Sequence, residues 1–252
     1  HHTHTARCGH AEGDAAGYVE AALAAGLGTI AITDHVPMFW LPEAERDPHL
    51  AMGLHELPAY VEEVLGLKER YRGRIEVRLG IEADYIPGHE DGLRRLLEPF
   101  PFELVLGSVH WVDGWLVDGP RSIPRFQQGQ DEVDRIWAAY AGTLIEAARS
   151  GLFDVLTHLD LPKKFGYRPT VPFAGHQADV VAAVAASGCA VELSSGGLRR
   201  PAAEAYPAPD LLGELAAAGV PVVLSSDAHA PGEVGHRFGE LRALLASVQV
   251  WS

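Results

Sequence analysis

Short apolar runs alternate with longer segments of helical spacing along nearly the whole chain. This alternation points to a parallel α/β sheet, because parallel strands need a crossover long enough to hold a helix. The apolar runs predict strands over His1–Thr5, Thr29–Asp34, Ile75–Glu82, Leu104–His110, Val155–His158, Ala190–Ser194 and Pro221–Asp227. Between and after them, the spacing predicts helices over Ala15–Ala25, Leu57–Tyr71, His89–Leu97, Asp131–Ser150, Phe173–Ser187, Pro209–Ala218 and Val234–Leu245. Gly26, Gly151, Gly188 and Gly219 each close a helix just ahead of the next strand, the usual C-terminal punctuation. Seven such units in 252 residues, with no linker or low-complexity stretch, predict one domain over 1–252 with a barrel-like sheet. An open, doubly wound sheet fits the same pattern. The glycines of Ser195–Gly197 carry no dinucleotide fingerprint, and no P-loop occurs.

Where the polar residues fall is more informative than the pattern itself. His2 and His4 are two apart and share one face of a strand. The next strands end in Asp34-His35, Glu82-Ala83-Asp84, His110 and His158-Leu159-Asp160, and the last in Asp227-Ala228-His229. Active sites of parallel barrels form at the carboxyl ends of the strands. Imidazole and carboxylate together suit zinc, iron and manganese. Any one of these sites alone would be unremarkable, since Asp-His after a strand is commonly a helix cap and a solvated ring. Six of seven predicted strands ending this way point to a metal centre. Asp34, Asp84 and Asp160 read either as carboxylates that orient an imidazole or as caps. His49, His55, His89, His176 and His236 lie outside the pattern and read as surface or capping residues.

The net charge of −14 argues against a nucleic-acid binder, which needs a basic surface. It leaves room for a small anionic substrate, because bound metals reverse the local field. No run approaches the length of a membrane span. With two cysteines, Cys8 and Cys189, and no targeting segment, the expectation is a cytoplasmic protein with free thiols.

His2-Thr3-His4-Thr5, Cys8-Gly9-His10, Thr33-Asp34-His35, Gly80-Ile81-Glu82, Gly107-Ser108-Val109-His110, His158-Leu159-Asp160 and Ser225-Ser226-Asp227-Ala228-His229 resemble, in order, the motifs of the polymerase and histidinol phosphatase (PHP) superfamily. Asp34-His35-Val36-Pro37, Asp160-Leu161-Pro162-Lys163-Lys164-Phe165-Gly166 and Gly197-Leu198-Arg199-Arg200-Pro201 resemble its histidinol-phosphate phosphatase branch. Ser194 departs from that branch, where a small amide is usual. The resemblance implies a distorted seven-stranded (β/α) barrel of PHP type. It also implies hydrolysis of L-histidinol phosphate to L-histidinol and phosphate in histidine biosynthesis, with three divalent metal ions (zinc, iron or manganese).

Carried over to these positions, His2, His4, Glu82 and Asp227 would bind the first metal. Glu82, His110 and His158 would bind the second, with Glu82 bridging, and His10, His35 and His229 the third. Glu82, Asp227 and His229 are then the catalytic candidates: Glu82 beside the attacking water, and Asp227, His229 or a water for the leaving-group proton. Lys163, Lys164, Arg199 and Arg200 follow strands five and six, so they are expected at the same rim as phosphate contacts, with Arg199 preferred. Trp111, next to His110, is a candidate pocket wall. Another PHP phosphoesterase or nuclease, a non-catalytic metal binder and an amidohydrolase are the alternatives.

Overall fold

The first unit of the structure is organised around β1, Thr29–Ile32, which follows helix α1, Ala15–Ala24. This computed structural model describes residues 1–249. Contacts group the chain into two compact units, each drawn from several stretches. The first holds His1–Ala83, Gly88–Leu106 and Ser225–Phe238; the second holds Asp84–Pro87, Gly107–Leu224 and the chain from Gly239.

In the first unit, Asp14 caps α1 by accepting the Gly17 N–H at 2.8 Å. Helix α2 is Leu57–Arg70, and β2 is Glu76–Asp84, all but its last residue in this unit. Leu57, Tyr60, Val61, Val64 and Leu67 form the buried face of α2 at helical spacing. The Tyr60 hydroxyl lies 2.7 Å from the carbonyls of both Ile32 and Gly80, which ties α2 to two strands. Strands β1 and β2 pair in parallel, Thr29 opposite Glu76. Helix α3, Glu90–Leu97, leads to β3, Leu104–Ser108, and the order here is β1-β2-β3.

The second unit takes the last residues of β3, then a hairpin of β4, Trp111–Val112, and β5, Trp115–Leu116. Helices α4, Ile123–Phe126, and α5, Gln130–Arg149, precede β6, Val155–Leu156. Then come α6, Gln177–Ser187; β7, Ala190–Ser194; α7, Pro209–Ala217; β8, Val222–Ser225; and α8, Phe238–Gln249. The order is β3-β6-β7-β8, with β6 and β7 in parallel register, Val155 opposite Ala190. Gly107 in β3 is required because a Cβ there would run into the Phe153 ring.

Several expected boundaries move, each for a local reason. His1–Thr5 is not a ladder strand: it makes one parallel bridge, Thr3 with Ala228. Thr33 N–H donates to the Thr3 carbonyl at 3.1 Å, so the segment still lies between the end of β1 and residue 228. The strands expected to run through His158 and Asp227 stop earlier, because those residues take φ values of 26° and 47°. Strand β3 stops at Ser108, two residues short of His110. Helix α6 starts at Gln177 rather than Phe173, since Phe173 and Ala174 have φ of 48° and 50°. Helix α8 starts at Phe238, after Arg237 at φ 51°. The hairpin β4–β5 was not expected.

Candidate metal centre

Seven of the predicted ligands converge in the first unit. Glu82, at the end of β2 and 1% exposed, sits at the middle. Its Oε1 is 3.2 Å from His2 Nε2, and its Oε2 is 3.4 Å from His4 Nε2 and 2.9 Å from His35 Nδ1. Asp227 Oδ1 lies 3.7 Å from His2 Nε2, 3.4 Å from His4 Nε2 and 3.5 Å from His229 Nδ1. The His4 ring is wholly buried and stacked between His35 and His229, with centroids 4.2 and 4.4 Å away. His10 comes from the loop after a 3-10 turn, Ala6–Cys8. Its Nδ1–H donates toward the carbonyls of His49 at 2.9 Å and Cys8 at 3.0 Å, which turns its Nε2 to within 3.2 Å of His229 Nε2. Holding one ring nitrogen by a backbone carbonyl to present the other is how ligating histidines are oriented. Ligand atoms of His4, His35 and His229, and of His2, His4 and Asp227, each gather within 4.8 Å.

The electrostatics suit a metal. Burial, then the neighbouring His35 and His229, hold His4 well below the usual imidazole range and His10 down to about 4. Burial lowers His229 as well. Burial pushes Asp227 up, but His2, His229 and His4 outweigh it and hold the carboxyl well below its usual range. The result is neutral His4, His10 and His229 beside ionised Asp227, the protonation state that metal binding requires. Cys8 is different: burial pushes its thiol up to about 12, so it stays protonated, 3.9 Å from His10 Nε2. Asp227 also carries left-handed backbone, a strain that persists where the surrounding structure enforces it.

Asp34 does not orient an imidazole. Its Oδ1 accepts Thr5 N–H at 2.6 Å and its Oδ2 accepts the Thr5 hydroxyl at 2.7 Å, locking the segment that carries His2 and His4. Burial raises this carboxyl to about 6. Asp34→Asn should cost about 1–3 kcal/mol, because an amide cannot accept both bonds. It should also weaken metal binding roughly 10- to 100-fold by loosening that segment. Denaturation midpoints and metal titration check this, and unchanged metal affinity would show that the latch does not reach the ligands.

The second unit carries the other predicted residues. His110 Nδ1 is 2.8 Å from Asp84 Oδ1, so Asp84 does orient an imidazole. The His158 ring lies 4.9 Å from that of His110. Glu192 on β7 accepts the His158 N–H at 2.9 Å and so steadies its left-handed backbone. Lys163 is wholly buried, its Nζ 2.7 Å from Asp160, from Glu204 and from the Ala205 carbonyl. Lys164 pairs with Asp118 at 2.7 Å. Arg199 ends a 3-10 turn from Gly196 and Arg200 follows it, both half-buried, as is Trp111 in β4. Sequence reasoning missed Glu192 and Asp118. Glu192 had a signal, as the one carboxylate in the apolar run Ala190–Leu193. Asp118 had none.

Buried imidazoles and carboxylates gathered at strand ends define an α/β metal-binding protein. The PHP domain model matches residues 1–196, a stretch that holds every predicted ligand except Asp227 and His229. A Deinococcus radiodurans protein described as a probable histidinol-phosphatase is 44% identical over 241 residues, covering 95% of this chain and 89% of that protein. The histidinol-phosphatase of Bacillus subtilis is 28% identical over 259 residues, covering 94% of this chain and 95% of its own length. Among solved structures, the histidinol phosphate phosphatase of Lactococcus lactis subsp. lactis, complexed with zinc, L-histidinol and phosphate, superposes with a TM-score of 0.81. It is 21% identical, over 98% of this chain and 92% of that one, and shows the same fold. The chain belongs to the PHP family, in its histidinol-phosphatase branch.

Proposed function

We propose that this protein is a metal-dependent phosphatase that hydrolyses L-histidinol phosphate to L-histidinol and phosphate in histidine biosynthesis. The observation that carries this reading is the packing of His2, His4 and His35 around buried Glu82, with Asp227 against His2 and His4, in a chain 44% identical to the Deinococcus relative. The family pattern calls for three divalent ions, drawn from zinc, iron and manganese. His2, His4, Glu82 and Asp227 would hold one, and His10, His35 and His229 another. His110 and His158 are the ligands that the second unit would supply to the remaining one. Bound metals of this kind acidify water and draw charge from phosphoryl oxygens.

The chain's own residues set the rest. Asp227 is ionised, and Glu82 and Asp227 would accept hydrogen bonds from the attacking water. Asp227 is held well below the usual carboxylate range and His229 below the usual imidazole range, so at neutral pH neither holds a proton for the leaving alkoxide, and water is the remaining donor. Lys164, Arg199 and Arg200 are the cations for the phosphate, and Trp111 is a wall for the rest of the substrate. No helix among the described residues is long and apolar enough to cross a membrane. Cytoplasmic location follows from the proposed biosynthetic role.

Purified protein supplied with zinc, manganese or iron should release phosphate from L-histidinol phosphate, and a chelator should stop it until metal is restored. A higher kcat/KM for another phosphate monoester would overturn the substrate and keep the phosphatase. Metal binding without hydrolysis of any phosphate ester would overturn both.

A further inference from the structure

A short hairpin in the second unit ties a carboxylate to one of the predicted metal ligands. Strands β4 and β5 pair antiparallel, Val112 opposite Trp115, and the two residues between them, Asp113 and Gly114, have φ of 52° and 73°. Positive φ at both central positions is the type I′ turn that Asp-Gly favours. The pairing continues past the strands, with Val117 N–H donating to the His110 carbonyl at 2.8 Å. The hairpin therefore returns the chain to His110 and sets Asp118 beside it.

Asp118 Oδ2 accepts from Lys164 Nζ at 2.7 Å, with the two side chains 18% and 19% exposed. Burial pushes the Asp118 carboxyl up, but Lys164, His110 and His158 outweigh it and hold the group well below the usual range. Lys164 sits on the 3-10 turn Leu161–Phe165, which His158 anchors by accepting Leu161 N–H at 2.9 Å. An ionised carboxylate alone here would repel a phosphate dianion, and Lys164 cancels that charge. An ammonium has three protons. Asp118 takes one of those on Lys164, which leaves donors for a ligand. Its neighbour Lys163 has its ammonium enclosed by Asp160, Glu204 and the Ala205 carbonyl. The adjacent lysines therefore differ in kind: Lys163 fastens the stretch around residues 204–205, while Lys164 is held by Asp118, the residue the hairpin sets beside His110.

We propose that Asp118 is a positioning residue for the phosphatase reaction, holding the Lys164 ammonium beside His110 and His158 where it meets the phosphoryl oxygens of the substrate. This rests on the phosphatase reading given above. A lysine head on a flexible four-carbon stem is a poor phosphate ligand until something fixes it, and the hairpin supplies a fixed anchor.

The test compares wild type, Asp118→Asn, Lys164→Met and the double variant, all metal-loaded, with metal content measured in each. Lys164→Met should raise KM for L-histidinol phosphate and the inhibition constant of inorganic phosphate about tenfold, as expected for loss of a charged hydrogen bond, with a smaller change in kcat. Asp118→Asn should move both constants in the same direction by a smaller factor, Asp118→Glu should recover part of the loss, and Asp118→Asn should add nothing once Lys164 is Met. Effects that multiply in the double variant would overturn the proposal. So would an Asp118→Asn protein that loses metal and kcat at unchanged KM, since Asp118 would then serve His110 rather than Lys164. A metal-loaded wild type that does not turn over L-histidinol phosphate would count against the phosphatase reading instead. Calorimetric binding of inorganic phosphate to the same four proteins would still decide whether Asp118 acts through Lys164.

Discussion

Glu82→Gln should reduce kcat for phosphate release by more than about 100-fold, beyond the range seen when only a group behind a ligand is lost. The substitution keeps the volume of the side chain and removes its charge. Both Glu82 oxygens face ligand imidazoles in the first unit, Oε1 toward His2 and Oε2 toward His4 and His35. The amide replaces one oxygen with an NH2 group that has no lone pair to offer a metal. The buried imidazoles around it would also lose the negative charge that offsets their crowding. Metal content per chain, measured alongside kcat, should fall in parallel. Full metal occupancy with lost activity would place Glu82 at the attacking water alone. Undiminished activity would remove it from the centre altogether.

How much of this was legible in the sequence depends on whether a signal is local. His2, His4, His35, Glu82, Asp227 and His229 could be found because each interrupts or ends an apolar run, and a polar group there has to face something other than the core. Helix ends could be read to within a residue or two where glycine or a cap marks them: α1 and α7 end one residue before expectation. Strand ends were less legible, because a ladder stops when its partner does. Ser108, Leu156 and Ser225 end their strands although the residues beyond keep the same composition. In two of these cases the next ligand, His158 or Asp227, sits in left-handed backbone that no composition predicts. Lys163 and Lys164 look alike as a basic pair, yet the first is enclosed by groups up to 42 residues on and the second is paired with a residue 46 before it. Asp34 reads from the sequence as an imidazole partner or a cap because it precedes His35, while its carboxylate accepts from Thr5, 29 residues away. The sequence thus pointed to residues that the structure gathers, while what holds them in place depends on contacts it does not display.

Stripping the metals should also leave a protein whose stability falls as the solution is acidified, in a window set by the buried imidazoles. In the unfolded chain these groups take up a proton near pH 6.5. In the folded chain His10 does so only at about 4, His4 lies well below the usual value, and His229 is lowered too. Between those limits the unfolded state binds more protons, so stability rises with pH and is lost as pH falls from about 6.5 toward 4. Each imidazole that stays neutral through the window adds a slope of about 1.4 kcal/mol per pH unit. Asp34 acts with the opposite sign: raised to about 6, it binds more protons when folded between its ordinary range and that value, so it favours the folded state on acidification. One carboxyl against three imidazoles leaves the net slope downward. Bound metal reinforces the folded state, by about 2.7 kcal/mol for each site at a free concentration 100 times its Kd. Protons compete with it only where the imidazoles accept them. Zinc retention measured by dialysis across pH should therefore hold well below 6.5 and fail nearer 4, with turnover at neutral pH recovering only after metal is added back. Release centred at 6.5 would mean that His4, His10 and His229 titrate as solvated imidazoles, and the packing around Glu82 and Asp227 would then not be what keeps the ligands ready for metal.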